Sequence, residues 1–490
     1  MTPAPLSPLR ERFGTIVRQV TETGDAIFAN WQGRIEREEF VPSARNLADY
    51  LAFRRPDLTG IQAELATLGL SSLGRAEAHI RQSLRAVDAC LEQMAGAPAT
   101  WPDPAEFIVG AQRIAEAQRR FFGSASGGRS TRIMTTLPSE AADDPGLVEK
   151  LVMAGANCVR INCAHDDAAA WARMIAHARA AAKAVGRRCP VIMDLGGPKV
   201  RVETVAMAAK RLHRGDMFHL AFDVPARTGE QTVFSINFPR IARKLGVDAP
   251  VLINDGKIGA RVVAVEAHGL VLQVTTAREK GEKLKGEKGV NFPSVELDID
   301  PLTPKDLVDL DFVAAHADVV GFSFVQRPRD IDLLVGELGS RRGSAPPQPL
   351  LLKIETPLAV RNLPRLLVAA GGRHPVGVMI ARGDLATEVG PERLSEVQEE
   401  ILWLCEAAHV PVVWATQVLE SLVKDNAPSR AEVTDAAMGQ RAECVMLNKG
   451  PFLAEAVGFL SGILHRMDRH QSKKTARLSA LTSWKGSQDL

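Results

Sequence analysis

Apolar residues follow two different rhythms along this chain. Up to about residue 125 they recur with a helical period near 3.6, as in Leu47 to Phe53, Ile61 to Leu68 and Ala76 to Met94. Gly, Pro and Trp punctuate this region around Gly96 to Pro104. Gly123 to Ser130, with sequence GSASGGRS, has the composition of a flexible joint and marks a domain boundary. Beyond it, short runs that are apolar throughout alternate with amphipathic stretches. The runs predict strands at Arg132–Leu137, Asn157–Cys163, Pro190–Leu195, Ala317–Val325, Leu350–Ile354, Val376–Arg382, Pro411–Ala415 and Glu443–Leu447. Such runs suit a parallel sheet covered on both faces. Helices are predicted at Pro145–Met153, Ala168–Ala184, Pro304–His316, Ile331–Leu338, Glu392–His409 and Phe452–His465.

Eight βα units in about 340 residues predict an α/β fold, a TIM (β/α)8 barrel rather than an open sheet. The surplus length lies between the third and fourth strands, from about Val202 to Lys288. There the pattern changes to short alternating strands such as Met217–Phe222, Thr232–Ile236, Val251–Ile253 and Val262–Val274, with turns at Asp255-Gly256 and His268-Gly269. This predicts a small β-rich domain inserted after strand 3. The organisation read from the pattern is therefore a helical N-terminal extension (1–125), a barrel (130–201 and 289–467), an inserted lid domain (202–288) and a polar tail (468–490) expected to be partly disordered.

Composition narrows the function classes. An apolar fraction of 46% and a charged fraction of 24% suit a globular protein, and a net charge of +2 gives no bulk attraction to nucleic acid or anionic membrane. No apolar run reaches the length of a membrane span. The first residues carry Arg10, Glu11, Arg12 and Arg18 without an apolar core, so no signal peptide is expected. The six cysteines form no CxxC pair and mostly fall in apolar runs, as buried reduced thiols do. A cytoplasmic location is expected.

Polar residues stand at nearly every strand end: Thr136, Arg160 with Asn162, Asp194, Ser323, Lys353 with Glu355, Arg382 with Asp384, Thr416, and Asn448. In a barrel these ends converge on one mouth. Two hard carboxylates, Glu355 and Asp384, meeting Lys353 there would suit a magnesium ion holding a phosphorylated anion. No GxxxxGK[ST] loop is present, which argues against a P-loop nucleotidase.

Seven segments in one order resemble the pyruvate kinase family, over roughly residues 131 to 465. Ala154 to His165 (AGANCVRINCAH) looks like the family's AGxNxxRxNxSH segment, and Asp194 to Arg201 (DLGGPKVR) like its D-x-x-GP-x-IR motif. Lys288 to Pro293 (KGVNFP), Lys353-Ile354-Glu355, Ala381 to Leu385 (ARGDL), Ala415 to Ser421 (ATQVLES) and Ser429 to Val433 (SRAEV) complete the set. The resemblance implies phosphoryl transfer from phosphoenolpyruvate to ADP, giving pyruvate and ATP. It implies Glu355 and Asp384 as ligands of Mg2+ or Mn2+, Lys353 and Arg160 on the transferring phosphoryl group, and Thr416 in a proton relay at the enolate carbon. Arg201, His165 and Asn162 match the nucleotide and phosphoryl side.

Departures from the family pattern are informative. The potassium-binding serine is Ala164, the threonine position is Leu195, and the glutamate after Gly-Pro is Lys199. In the family this combination accompanies independence from potassium, so Lys199 is expected to stand in for that ion. On the nucleotide side the SGETA segment is Asn448-Lys449-Gly450-Pro451-Phe452, and the lysine pair before Gly-Val-Asn is Glu287-Lys288. The family's C-terminal domain, which carries sugar-phosphate regulation in many members, has no counterpart in this reading, so activation through it is not expected. A homo-oligomer is expected, using barrel contacts. Two alternatives stay open: a magnesium-dependent aldolase or lyase acting on pyruvate enolate, and a non-catalytic homologue that retains ligand binding.

Overall fold

The computed structural model describes residues 6–206, 210–223, 231–293, 295–296 and 299–476. Eight parallel strands close into a barrel: β1 (Arg132–Thr136), β2 (Cys158–Asn162), β3 (Val191–Asp194), β4 (Val319–Phe322), β5 (Leu350–Ile354), β6 (Val376–Ala381), β7 (Val412–Ala415) and β8 (Cys444–Leu447). Each pairs with its sequence neighbour, and β8 returns to β1. The strands are buried almost without interruption, which is why they read as unbroken apolar runs. Several of the helices between them begin on side-chain caps. Asp144, Asp167, Thr303, Thr356 and Ser429 each accept a backbone N–H of the first turn. The Ser429-to-Glu432 segment is one of these, a reciprocal capping box.

Between β3 and β4 the chain leaves the barrel and builds a separate seven-stranded, largely antiparallel sheet over its own apolar core. The run Val262–Val274 resolves into a hairpin, Ile258–Glu266 with Gly269–Thr276, because the chain reverses at Ala267-His268.

The N-terminal extension has five helices among its described residues: α1 (Leu6–Gln32), α2 (Val41–Phe53), α3 (Thr59–Thr67), α4 (Ile80–Met94) and α5 (Glu106–Phe122). The segments expected at Leu47–Phe53, Ile61–Leu68 and Ala76–Met94 correspond to α2, α3 and α4; α1 and α5 were not singled out by periodicity. The extension packs against the N-terminal end of the barrel. At the end of α5, Phe121 and Phe122 join a fully buried cluster with Met134, Cys158, Ile192, Val319, Leu351 and Met379 inside the barrel. A Cβ at Gly377 would lie 2.9 Å from the Phe121 ring, so glycine there lets the plug seat. Polar bonds surround the plug. Asn46 Nδ2 donates to Ala407 O at 2.8 Å, and the Arg37 N–H donates to Gly372 O at 2.8 Å.

One sequence expectation is corrected. The stretch Gly123–Ser130, read as a flexible joint, is pinned by Arg129, whose buried guanidinium donates to Asn157 Oδ1 at 2.8 Å and Ser461 Oγ at 3.1 Å. Within the tail, read as partly disordered, the first residues form a hairpin, Gln471–Ser472 with Thr475–Ala476. Buried carboxylates draw it in: Lys473 pairs with Glu443 and Lys474 with Glu77. Residues 477–490 of that expectation lie outside the described residues.

His409 sits in the seam between extension and barrel, its Nδ1 3.0 Å from Ser43 Oγ and its Nε2 3.0 Å from Ala78 O. Burial pushes the imidazole down to about 4, against the opposing pull of Ala78 O. A depressed histidine pKa means that the unfolded chain takes up a proton the folded one refuses. Its contribution is complete above about pH 6.5 and is lost as pH falls towards 4, amounting to ~3 kcal/mol at most. Urea unfolding across this range is expected to show that slope in the parent protein and a shallower one in His409→Gln.

Candidate active site

The register that closes the barrel also aligns its polar ends. Thr136 lies beside Arg160, Asn162 beside Asp194, and Asp194 beside Gly321 on adjacent strands. Asp194, with no exposed surface, stands at the centre. Its Oδ2 accepts the Arg160 Nε–H at 2.7 Å and lies 3.5 Å from Lys353 Nζ. Lys353 Nζ donates to Ser323 Oγ at 2.7 Å and stands 3.2 Å from Glu355 Oε1. The other Glu355 oxygen accepts the Phe324 N–H at 2.6 Å. These groups fit because β4 carries glycine opposite Asp194. A Cβ at Gly321 would come 1.9 Å from Asp194 Oδ1.

Two further residues complete this side. Asp384 lies in the first turn of the helix Arg382–Val389, and its Oδ1 receives Lys199 Nζ at 2.6 Å. Thr416 Oγ1 accepts the Gly383 N–H at 2.7 Å, which sets Thr416 beside the same helix start. Thr416 has φ +64°, a conformation the surroundings must impose on a β-branched residue. Arg382 does part of that work. Expected as a mouth residue, it turns instead into the wall, where its Nε donates to Ala415 O at 3.0 Å and its Nη2 to Thr416 O at 2.6 Å. Asp435 holds the same guanidinium, which stacks 4.5 Å above the Trp414 ring.

Burial strongly penalises the charge on Asp194, yet Arg160 and Lys353 hold its carboxyl below the usual range. Burial also penalises the Lys353 ammonium, and Glu355 and Asp194 more than restore it. Glu355 is different: burial, with Asp384 adding to it, leaves its carboxyl above the ordinary value despite Lys353 and Lys199. Glu355 and Asp384 each pair with a lysine, yet burial of Glu355 beside Asp384 still disfavours its charged form, a penalty a divalent cation would relieve. Among the described residues no three His, Cys, Asp or Glu side chains gather into a complete metal cage. Two carboxylates suffice for magnesium, which keeps waters and substrate oxygens for its other positions.

A second, basic group flanks the first. His165 lies just past β2, and burial, then Lys449, Arg201 and Arg160, push its imidazole down against the pull of Asp166. Arg201 is at the root of the inserted sheet, where its Nη1 donates to Glu287 O at 2.9 Å. Asn162 Oδ1 accepts the Ala164 N–H at 3.2 Å and shapes the turn that presents His165. Lys199 pairs with Asp384, whereas the cations on Asp194 are Arg160 and Lys353. Sequence reasoning assigned no role to Lys449 or Asp435. Lys449 was legible as a basic residue in the loop after β8, while nothing in the pattern around Asp435 marked it.

A closed barrel with buried cations at one mouth and a separate sheet joined beside it defines the class of (β/α)8-barrel enzymes acting on anionic substrates. Residues 128–457 match the family described as pyruvate kinase, barrel domain. A pyruvate kinase of Agrobacterium vitis is 33% identical over 359 residues, covering 70% of this chain and 69% of its own. One of Methylorubrum extorquens is 34% identical over 348 residues with the same coverage, and one of Geobacillus stearothermophilus is 31% identical over 70% of this chain and 57% of its own. The chain belongs to the pyruvate kinase family of phosphotransferases. No described helix is long and apolar enough to cross a membrane.

Asp194→Ala would strip the buried Arg160 guanidinium of its ion-pair partner and leave Lys353 with Glu355 alone. Urea unfolding is expected to show a loss of ~3–5 kcal/mol, the usual result of breaking a buried pair from one side. A change within ~0.5 kcal/mol would contradict the central position given to this carboxylate.

Proposed function

We propose that the chain moves the phosphoryl group of phosphoenolpyruvate to ADP, with Mg2+ or Mn2+ held by Glu355 and Asp384. The observation that carries this reading is Lys353, buried between Asp194 and Glu355 with its ammonium kept charged. When bound, the divalent cation neutralises the substrate's carboxylate and phosphoryl oxygens.

The phosphorus–oxygen bond to the enol oxygen breaks, and a new one forms to the terminal phosphate oxygen of ADP. Negative charge spreads over the phosphoryl oxygens and the enolate, so fixed cations lower the barrier most. Lys353 serves both, lying where the phosphoryl and the enolate oxygen part. Arg160, held by Asp194 and by Thr136 Oγ1 at 3.1 Å, grips the phosphoryl from the other side. The enolate carbon then takes a proton through the hydroxyl of Thr416. His165, Arg201 and Lys449 receive the nucleotide phosphates, with Asn162 shaping their turn. Lys449 supplies a positive charge on the side where Glu287 replaces a family lysine.

Lys199 brings a tethered ammonium to the carboxylate pair, which supports turnover without potassium. Turnover is expected to change less than about twofold when potassium replaces a bulky organic cation at constant ionic strength. Lys199→Glu should introduce a potassium requirement. A strong requirement in the parent protein would refute this role.

In a lactate dehydrogenase-coupled assay with magnesium, Lys353→Met is expected to lose at least about a thousandfold in kcat, as removal of a transition-state charge does. Its Mn2+ affinity by calorimetry should stay close to that of the parent protein. Retention of kcat would remove Lys353 from the reaction.

A further inference from the structure

Both crossings between the barrel and the inserted sheet are tied to the helix Arg382–Val389. On the outward crossing, Lys199 Nζ lies 2.6 Å from Asp384 Oδ1. On the return crossing, Asn291 Nδ2 donates to Glu388 Oε1 at 2.7 Å. Asp384 and Glu388 are four residues apart and so share one face of that helix. The crossings also pair with each other. The Val290 N–H donates to Val200 O at 2.9 Å, and the Val202 N–H to Lys288 O at 2.8 Å. A Cβ at Gly289 would come 3.0 Å from Lys199 Cε, so the ribbon is packed as well as hydrogen-bonded.

The two ties differ in what a cation does to them. The Lys199 bond uses an oxygen of a proposed metal ligand, and it must be remade when that oxygen turns to a cation. The Asn291–Glu388 bond uses no such atom and can persist. Burial pushes the Glu388 carboxyl up to about 7, Asn291 opposing and Asp384 adding. An apolar side chain would bury at this place with less penalty, so the bond to Asn291 is what the carboxyl contributes.

We propose that the Asn291–Glu388 bond is the lasting pivot of the inserted domain, and that Glu388 is a positioning residue for phosphoryl transfer. Through it the Lys199 crossing stays in register with Asp384 while the metal site fills. This rests on the reading of Asp384 as a metal ligand.

Glu388→Ala, Glu388→Gln and Asn291→Ala, each in the full chain, test the proposal by three readouts. These are hydrogen exchange of the crossings (residues 199–205 and 286–292), Mn2+ affinity by calorimetry, and steady-state kinetics. In Glu388→Ala, exchange of the crossings is expected to quicken about tenfold, in line with one lost hydrogen bond, while barrel strands are unchanged. KM for ADP should rise by a similar factor, with KM for phosphoenolpyruvate and Mn2+ affinity within about twofold. Glu388→Gln keeps an acceptor for Asn291 and should restore parent values. Asn291→Ala removes the donor and should reproduce Glu388→Ala; it also carries the test if Glu388→Ala does not fold. Parent-like exchange in Asn291→Ala, or a Glu388→Gln variant as impaired as Glu388→Ala, would overturn the pivot. Mn2+ affinity in Asp384→Asn separates the two layers. An unchanged affinity would overturn the metal reading and the register role, while the exchange data would still judge the pivot.

Discussion

The mouth of this barrel is organised around one carboxylate that water does not reach. Asp194 faces Arg160 and Lys353 together, as the ion-pair partner of the first and, with Glu355, one of two for the second. The arrangement is costly to desolvate, so it makes sense only if the charges are used. Lys353 is held charged between Asp194 and Glu355, and Arg160 is fixed by the same Asp194 carboxylate. The need for room explains Gly321 on the neighbouring strand, and the register of β2, β3 and β4 delivers all these groups to one level.

The opposite end of the barrel solves a different problem. Its floor is apolar, and the extension closes it with Phe121 and Phe122. Backbone carbonyls left at the ends of barrel helices, such as those of Ala407 and Gly372, find their donors in the extension. The extension therefore supports the strands from below, while the chemistry stays at their C-terminal ends. The hairpin after Ser472's strand adds a second fastening there, since Lys474 reaches Glu77 of the extension and Lys473 reaches Glu443 at the foot of β8.

Between these ends, the helix Arg382–Val389 links Asp384, the turn at Thr416 and the inserted domain. Asp384, the Gly383 N–H on Thr416, and Glu388 all belong to it. Arg382 at its first position anchors the strained turn at Thr416 through backbone carbonyls. A short helix of 8 residues has little stability of its own, so its contacts on three sides define where it stands.

Much of this could be read along the chain. Strands buried on both faces leave continuous apolar runs, and capped helices leave Asp, Thr or Ser before an amphipathic stretch; both signals are local and survived folding unchanged. The same locality shows that Arg160, Asp194, Lys353, Glu355 and Asp384 stand at strand ends. It could not show direction. Arg382 and Asp384 are two residues apart, yet one turns into the wall and the other into the mouth, because Asp435 and Trp414 await the guanidinium. Nor could it pair Lys199 with Asp384, Asn291 with Glu388, or Lys449 with the surroundings of His165. The sequence by itself determined the elements, their order and the residue types at each strand end. Tertiary structure alone decided which charges meet, because a buried ion pair depends on distances between segments that are remote in the chain.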